Sequence, residues 1–197
     1  MVLRFGGKNH WNFYDWSPYS EGALFQNVSK EYDCLLNCLL IIALKNYKEI
    51  CNLTSNCFEY EKELLELQKA TKDSFFDKDK CLFFVKEKGS YTELANSLAV
   101  LADLCTHDEA KYIVNALSNN ELVPCSLSFK CFKYDALLSV SDDYKDTVLN
   151  EIRATYLKMA ERTNTVWETD EGESAFGDAG SLCHGWSAIP IYYYNIL

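Results

Sequence analysis

SYTELANSLAVLADLCTHDEAKYIVNAL, running from Ser90 to Leu117, contains two helix starts and one very short connector. Ser90 with Glu93 has the spacing of a capping box, in which a hydroxyl and a carboxylate satisfy orphan backbone N–H groups of a first helical turn. Leu94, Leu98, Leu101 and Cys105 then recur at helical spacing. Thr106 with Glu109 repeats the box at once, and Ala110, Ile113, Val114 and Leu117 give the next helix an inward face. A connector as short as Cys105-Thr106 makes the two helices fold back on each other as an antiparallel hairpin.

The same grammar extends in both directions. Tyr32 to Cys51 predicts a strongly apolar helix, buried on most of its circumference. Asn56 with Glu59 is a capping-type start for a helix to about Phe75, with Leu64, Leu65 and Leu67 apolar and Glu61, Glu63, Glu66 and Lys69 wet. Phe132 to Val140 reads as a shorter helix. Asp142 or Asp143 starts a long one with Val148, Leu149, Ile152, Tyr156 and Met159 on one side, and a last helix runs from about Cys183 towards Tyr194. Cys81 to Val85, between charged flanks, is the one strand-like stretch and suits a small hairpin or an extended connector. With 197 residues, 48% apolar, and no linker or low-complexity stretch, the expectation is one all-α domain over 1–197, an array of helical hairpins.

Twenty-nine acidic against nineteen basic residues give a formal charge of -10, with no basic stripe, which argues against nucleic acid or an anionic membrane as partner. A neutral oligosaccharide is compatible with that charge. The nine cysteines (34, 38, 51, 57, 81, 105, 125, 131 and 183) show no C-x-x-C pair and mostly sit among apolar residues, so they read as small buried hydrophobes in a reducing compartment. Only His10, His107 and His184 offer imidazoles, none with a partner at zinc spacing, so no metal and no cofactor is expected. Met1 to Phe13 has no apolar stretch of signal-peptide length, and the longest apolar run, Cys34 to Leu44, is far short of the roughly 20 residues of a membrane span. The expected location is cytoplasmic.

Chemistry concentrates near the C-terminal end. Thr165-Val166-Trp167-Glu168 is followed by Ser181-Leu182-Cys183-His184-Gly185-Trp186-Ser187-Ala188, and between the two lie Asp170, Glu171, Gly172, Glu173, Gly177, Asp178 and Gly180. Carboxylates supply acid and base, indole faces stack on the apolar faces of a pyranose, and glycines let backbone approach a ligand. Such a set suits a sugar site.

Together with Trp11-Asn12-Phe13-Tyr14-Asp15-Trp16-Ser17 near the start, these motifs and the helix pairs between them resemble the C-terminal half of the six-hairpin catalytic barrel of the bacterial alpha-L-rhamnosidases. The resemblance implies an α/α toroid, here incomplete. It matches Glu168 to the family's general base, which activates the water that attacks the anomeric carbon with inversion; the alternative is a solvated loop glutamate. His184 matches a sugar-contacting histidine, against a capping or packing role, and Trp16 of the Asp15-Trp16 pair matches a sugar-platform tryptophan, against plain core. Asp15, Trp16, Trp167 and His184 are thus the expected substrate-binding residues. Trp167 either lines the pocket or holds Glu168 in its rotamer, and Trp186 and Ser187 are expected to lock the last helix to its neighbour.

One departure from that family bears on activity. The family's general acid lies in an acidic motif of the first half of the barrel, and no stretch here matches it. An inverting hydrolase needs two carboxyl groups about 6.5 to 9.5 Å apart, and the chain offers one plausible member. About seven helices are visible where a closed barrel of six hairpins has twelve. The expectation is therefore the base side of an inverting glycoside hydrolase site acting on a neutral oligosaccharide or rhamnoside, with little activity alone. A partner chain or homo-oligomer would complete the barrel. The alternatives are a non-catalytic carbohydrate-binding module and a helical scaffold.

Overall fold

The computed structural model describes residues 14–20, 32–86 and 88–197. Trp11, Asn12, Phe13 and His10 lie outside the described residues. Helices α1 (Cys34–Leu53) and α2 (Glu61–Phe75) form one hairpin, α3 (Glu93–Leu101) and α4 (His107–Ser118) a second, and α5 (Lys130–Val140) and α6 (Lys145–Thr163) a third. Strands β1 (Phe76–Asp77) and β2 (Leu82–Phe83) pair antiparallel between the first two hairpins; the left-handed turn α7 (Ala175–Asp178) and the helix α8 (Pro190–Ile196) follow the third. Helix α1 packs on α3 and α3 on α5, while α2 lies against α1 and α4 against α3 and α5. Lys72 of α2 pairs with Glu109 of α4 at 2.6 Å, so α2 and α4 stand side by side, each against its own hairpin partner, α1 and α3. The result is the all-α, hairpin-by-hairpin layering of an α/α toroid, of which three hairpins are present among the described residues.

Local sequence explains most of the boundaries. Thr106 and Glu109 form the capping box, Thr106 N–H donating to Glu109 Oε2 at 2.7 Å. Ser90 and Glu93 do not: Thr92 caps α3, accepting from Ala95 N–H at 3.0 Å, and Ser90 Oγ instead accepts from Val85 N–H at 3.1 Å. Glu93 is unavailable for capping because it turns into the core. Helix α3 stops at Leu101 rather than reaching Cys105, where Asp103 takes a left-handed φ of 56°. Helix α2 starts at Glu61, and Asn56 instead closes the end of α1, its side chain donating to Thr54 Oγ1 and its N–H to Cys51 O, both at 2.8 Å. The expected last helix is shorter, because His184 is extended, Gly185–Ser187 form a separate 3-10 turn, and Pro190, which lacks an N–H, takes the first turn of α8.

The core centres on α3, whose residues from Glu93 to Val100 are all buried. Lys133 of α5, fully buried, donates to Glu93 Oε1 at 2.6 Å, to Asn120 Oδ1 at 2.8 Å, and pairs with Glu151 Oε2 of α6 at 3.0 Å. Lys130 bonds Glu151 as well, so two cations and two carboxylates neutralise each other between α3, α5 and α6. Burial of α1 is narrower than its composition suggests: Cys34, Leu35, Cys38 and Ile41 are inside, whereas Tyr47, Ile50 and Leu53 are exposed. Leu157, Ile191 and Tyr194 are likewise exposed at the other end of the array, where α6 meets α8. The cysteines are all unpaired; Cys34, Cys38, Cys51 and Cys125 are buried as expected, but Cys57 and Cys183 are exposed. No helix among the described residues is long and apolar enough to cross a membrane.

Removing one member of a buried ion pair strands the other in a low dielectric. Lys133→Met should therefore lower stability in urea by about 3–5 kcal/mol, and a loss below about 1 kcal/mol would show that Lys130, 3.7 Å from Glu93, is enough to compensate its charge. Glu151 adds a pH signature: burial alone would raise its carboxyl, but Lys130 and Lys133 outweigh burial and hold it below its ordinary value. The folded state then binds this proton less readily than the unfolded chain, so the stabilisation is present at neutral pH and disappears as pH falls below the ordinary carboxylate range. Glu151→Gln should lose stability at neutral pH and show a shallower further decline between about pH 5 and pH 3, followed by circular dichroism.

Candidate functional site

Two extended segments, 165–168 and 181–184, lie side by side after α6. Glu168 N–H donates to Ser181 O at 2.9 Å, His184 N–H to Val166 O at 2.8 Å, and the Thr165 hydroxyl to the Leu182 carbonyl. This pairing brings the two sequence motifs into one register. Ser181 N–H also donates to Glu168 Oε2 at 3.3 Å, fixing the carboxylate; its other oxygen has no partner among the described residues.

The loop between the segments is closed by Trp167 and two glycines. Trp167 is only 4% exposed, donates Nε1–H to Thr163 Oγ1 at 2.8 Å, and lies beneath the Arg162 guanidinium, 5.3 Å from the ring centre. Gly172, at φ 65°, comes so near the indole that a Cβ would meet Trp167 ring carbons at 3.0 Å. At Gly180 a Cβ would overlap the Gly172 carbonyl oxygen. Lys158 pairs with Asp170 at 2.8 Å and Arg162 with Glu173, so these loop carboxylates are drawn onto the outer surface of α6. Glu168 is left as the acidic residue of this loop that faces the cleft.

The opposite wall comes from residues 14–20, pinned at two points. Tyr14 OH donates to Asp33 Oδ1 at 2.7 Å, the same oxygen that caps α1 by accepting from Leu36 N–H. Ser17 Oγ donates to Pro124 O at 2.6 Å, and Ser126 Oγ to Asp15 Oδ2. Asp15 Oδ1 accepts Trp16 N–H at 2.8 Å, so both carboxylate oxygens act as acceptors that hold this segment. Cys125 N–H, in the connector that anchors it, donates to the buried Glu93 at 3.1 Å. Glu93 is thereby joined to the cleft wall through backbone.

Tyr14, Asp15, Trp16, Ser128, Phe129, Glu168, His184 and Trp186 line the resulting cleft of about 370 Å³. Asp15, Trp16, Glu168 and His184 thus come together from widely separated positions. Trp167 does not join them: its indole is consumed by packing on Gly172 and bonding Thr163, so it supports Glu168 from behind. Trp186 does not lock the last helix either; it is 78% exposed on the cleft rim, while the adjacent Ser187 is buried. Ser128 and Phe129 carry no sequence signal, since only the approach of the 124–129 connector to residues 14–20 puts them in the cleft. The volume is within the range of pockets that hold small molecules.

No family model matches the chain, and no curated protein matches it. Among solved structures the fold is similar to that of a rhamnosidase from Klebsiella oxytoca with rhamnose bound, with a TM-score of 0.73 and 21% identity over 96% of this chain. The matched region covers 37% of that protein's chain, so the chain spans little more than a third of its length. At this identity the likeness establishes a rhamnosidase-like fold.

The close approach at Gly180 gives a direct test of how the loop is built. Gly180→Ala has to push the loop away from Gly172, at a cost of about 1–3 kcal/mol, and should shift the amide resonances of Glu168 and Ser181. Unchanged resonances at those two positions would show that the two segments are not coupled through the glycine contact.

Proposed function

We propose that the cleft binds a neutral sugar of the rhamnoside type and that the chain contributes the base side of an inverting glycoside hydrolase site. The observation that carries this reading is the convergence of Asp15, Trp16, Glu168, His184 and Trp186 on one cleft. The rhamnose bound to the structurally similar rhamnosidase supports the choice of sugar. In this reading Glu168 is the general base. Water placed against its unpartnered oxygen gives up a proton to the carboxylate while its oxygen attacks the anomeric carbon, the bond to the leaving group breaks on the opposite face, and the centre inverts. His184 donates to a ring hydroxyl, and Trp16 offers an apolar platform.

The leaving-group oxygen needs a proton from a second carboxyl group. Among the described carboxylates only Asp15 shares the cleft with Glu168, and both of its oxygens are occupied as acceptors. The acid is therefore assigned to residues outside this set. The exposed apolar residues at both ends of the array support a partner chain, or a second copy, that completes the ring and supplies it. A carbohydrate-binding module without chemistry is the competing reading, and the same lack of a free second carboxyl in the cleft favours it.

L-rhamnose should perturb tryptophan fluorescence, and Trp16→Ala should abolish the response; no response in the parent chain removes the sugar reading. Loss of general-acid help costs about a hundred- to ten-thousandfold in rate. The chain alone should therefore leave alkyl rhamnosides intact and show at most a trace on aryl rhamnosides, absent in Glu168→Gln. Robust hydrolysis of an alkyl rhamnoside would place an acid within the chain, while sugar binding with no trace on the aryl substrate would leave the binding module.

A further inference from the structure

Beside the cleft, the loop after Gly172 does something unusual for an aromatic residue. Phe176 takes φ 55° and ψ 33°, and Gly177 and Asp178 continue in the left-handed region at φ 70° and 64°. A bulky side chain is an outlier there, and glycine or asparagine would adopt the same backbone more readily. The ring is not drawn into the core to offset this. It is 49% exposed and lies outside the core cluster. Its aromatic neighbour is Trp16, itself 43% exposed, with centroids 5.8 Å apart and planes inclined at 56°.

Trp16 is thus shared between two surroundings. It lines the cleft with Glu168 and His184, and it also meets Phe176, which is not part of the cleft lining. The two inclined rings make an apolar corner adjoining the cleft and open to solvent. Strained backbone persists where the surrounding structure enforces it, and it concentrates at ligand-holding sites. A glycoside whose sugar ring fills the cleft has one substituent that must project from it, the leaving group.

The geometry points to Phe176 as a specificity-determining residue: with Trp16 it forms a subsite for an aromatic or otherwise flat apolar leaving group next to the sugar cleft. This inference rests on the sugar-site reading above. An aryl ring lying in the corner covers apolar surface of both residues, and an aromatic contact of this kind strengthens binding about three- to tenfold. A methyl leaving group is too small to reach Phe176. The chain should therefore bind p-nitrophenyl α-L-rhamnoside more tightly than methyl α-L-rhamnoside by that factor.

The test is calorimetric titration of the parent chain, Phe176→Gly and Phe176→Asn with L-rhamnose and both rhamnosides, alongside thermal melts. Both substitutions accept the left-handed backbone, so the melting temperature should hold or rise, L-rhamnose affinity should be unchanged, and the preference for the aryl glycoside should disappear. A retained aryl preference in the variants overturns the assignment. So does a fall in melting temperature accompanied by equal losses for all three ligands, which is what a packing residue would give. A parent chain that binds all three but shows no aryl preference overturns this inference alone; one that binds none overturns the sugar reading and this inference together.

Discussion

The carboxylate of Glu93 and the ammonium of Lys133 meet at 2.6 Å with almost no access to water, and neither can be buried there without the other. Their pairing sets the register of α3 against α5, and Lys130 and Glu151 extend it to α6. Apolar packing alone tolerates small slides between helices; a buried charge pair with further hydrogen bonds to satisfy does not. The consequence reaches beyond the core, because Glu93 Oε2 also accepts the N–H of Cys125. That bond holds the connector whose Pro124 carbonyl and Ser126 hydroxyl anchor Ser17 and Asp15, and so one wall of the cleft stands on the charge cluster.

The other wall depends on a steric constraint. Trp167 fills the space under the loop that follows it, and the loop can close only because Gly172 and Gly180 have no side chains to collide with the indole and with each other. Closure lays 181–184 against 165–168, which sets Glu168 and His184 on the same cleft and fixes one carboxylate oxygen on the Ser181 amide. Positioning of this kind is what a general base needs before its proton affinity matters. Meanwhile Lys158 and Arg162 engage Asp170 and Glu173 on the surface of α6, so two of the five acidic residues between 168 and 178 are spent on holding the loop.

Much of this was legible in the sequence, and the failures are physical. Most helices of the three hairpins were readable from periodicity because they bury a stripe, although α3 is buried all round, and the short connector between α3 and α4 set the antiparallel return of that hairpin. The Ser90–Glu93 spacing misled because a carboxylate at that position had a stronger partner in Lys133, which no local pattern reveals. The predicted burial around α1 failed because its C-terminal half is covered on one side only: Cys51 is buried and Tyr47 meets Phe58 and Tyr60, whereas Ile50 and Leu53 face solvent. In the cleft, Asp15 and Trp16 were named mainly through the family resemblance; of the two readings of Trp167, the structure leaves it out of the cleft lining and buried behind Glu168, while Trp186, expected to lock the last helix, stands on the cleft rim. Which indole is buried depends on Gly172, which faces Trp167, and on Gly180, which lets the loop close onto Gly172, contacts made only once the loop folds. Ser128, Phe129 and Phe176 were invisible because nothing in their local sequence marks a position beside a distant segment.

The account turns on one cleft being the place where a sugar sits. Amide and indole chemical shifts recorded during an L-rhamnose titration test this directly, since the competing apolar groove between α6 and α8 is lined by different residues, among them Leu157, Ile191 and Tyr194. Shifts confined to Trp16, Phe129, Glu168, His184 and Trp186 are the predicted result. Shifts centred on Ile191 and Tyr194, or none at saturating sugar, would contradict it.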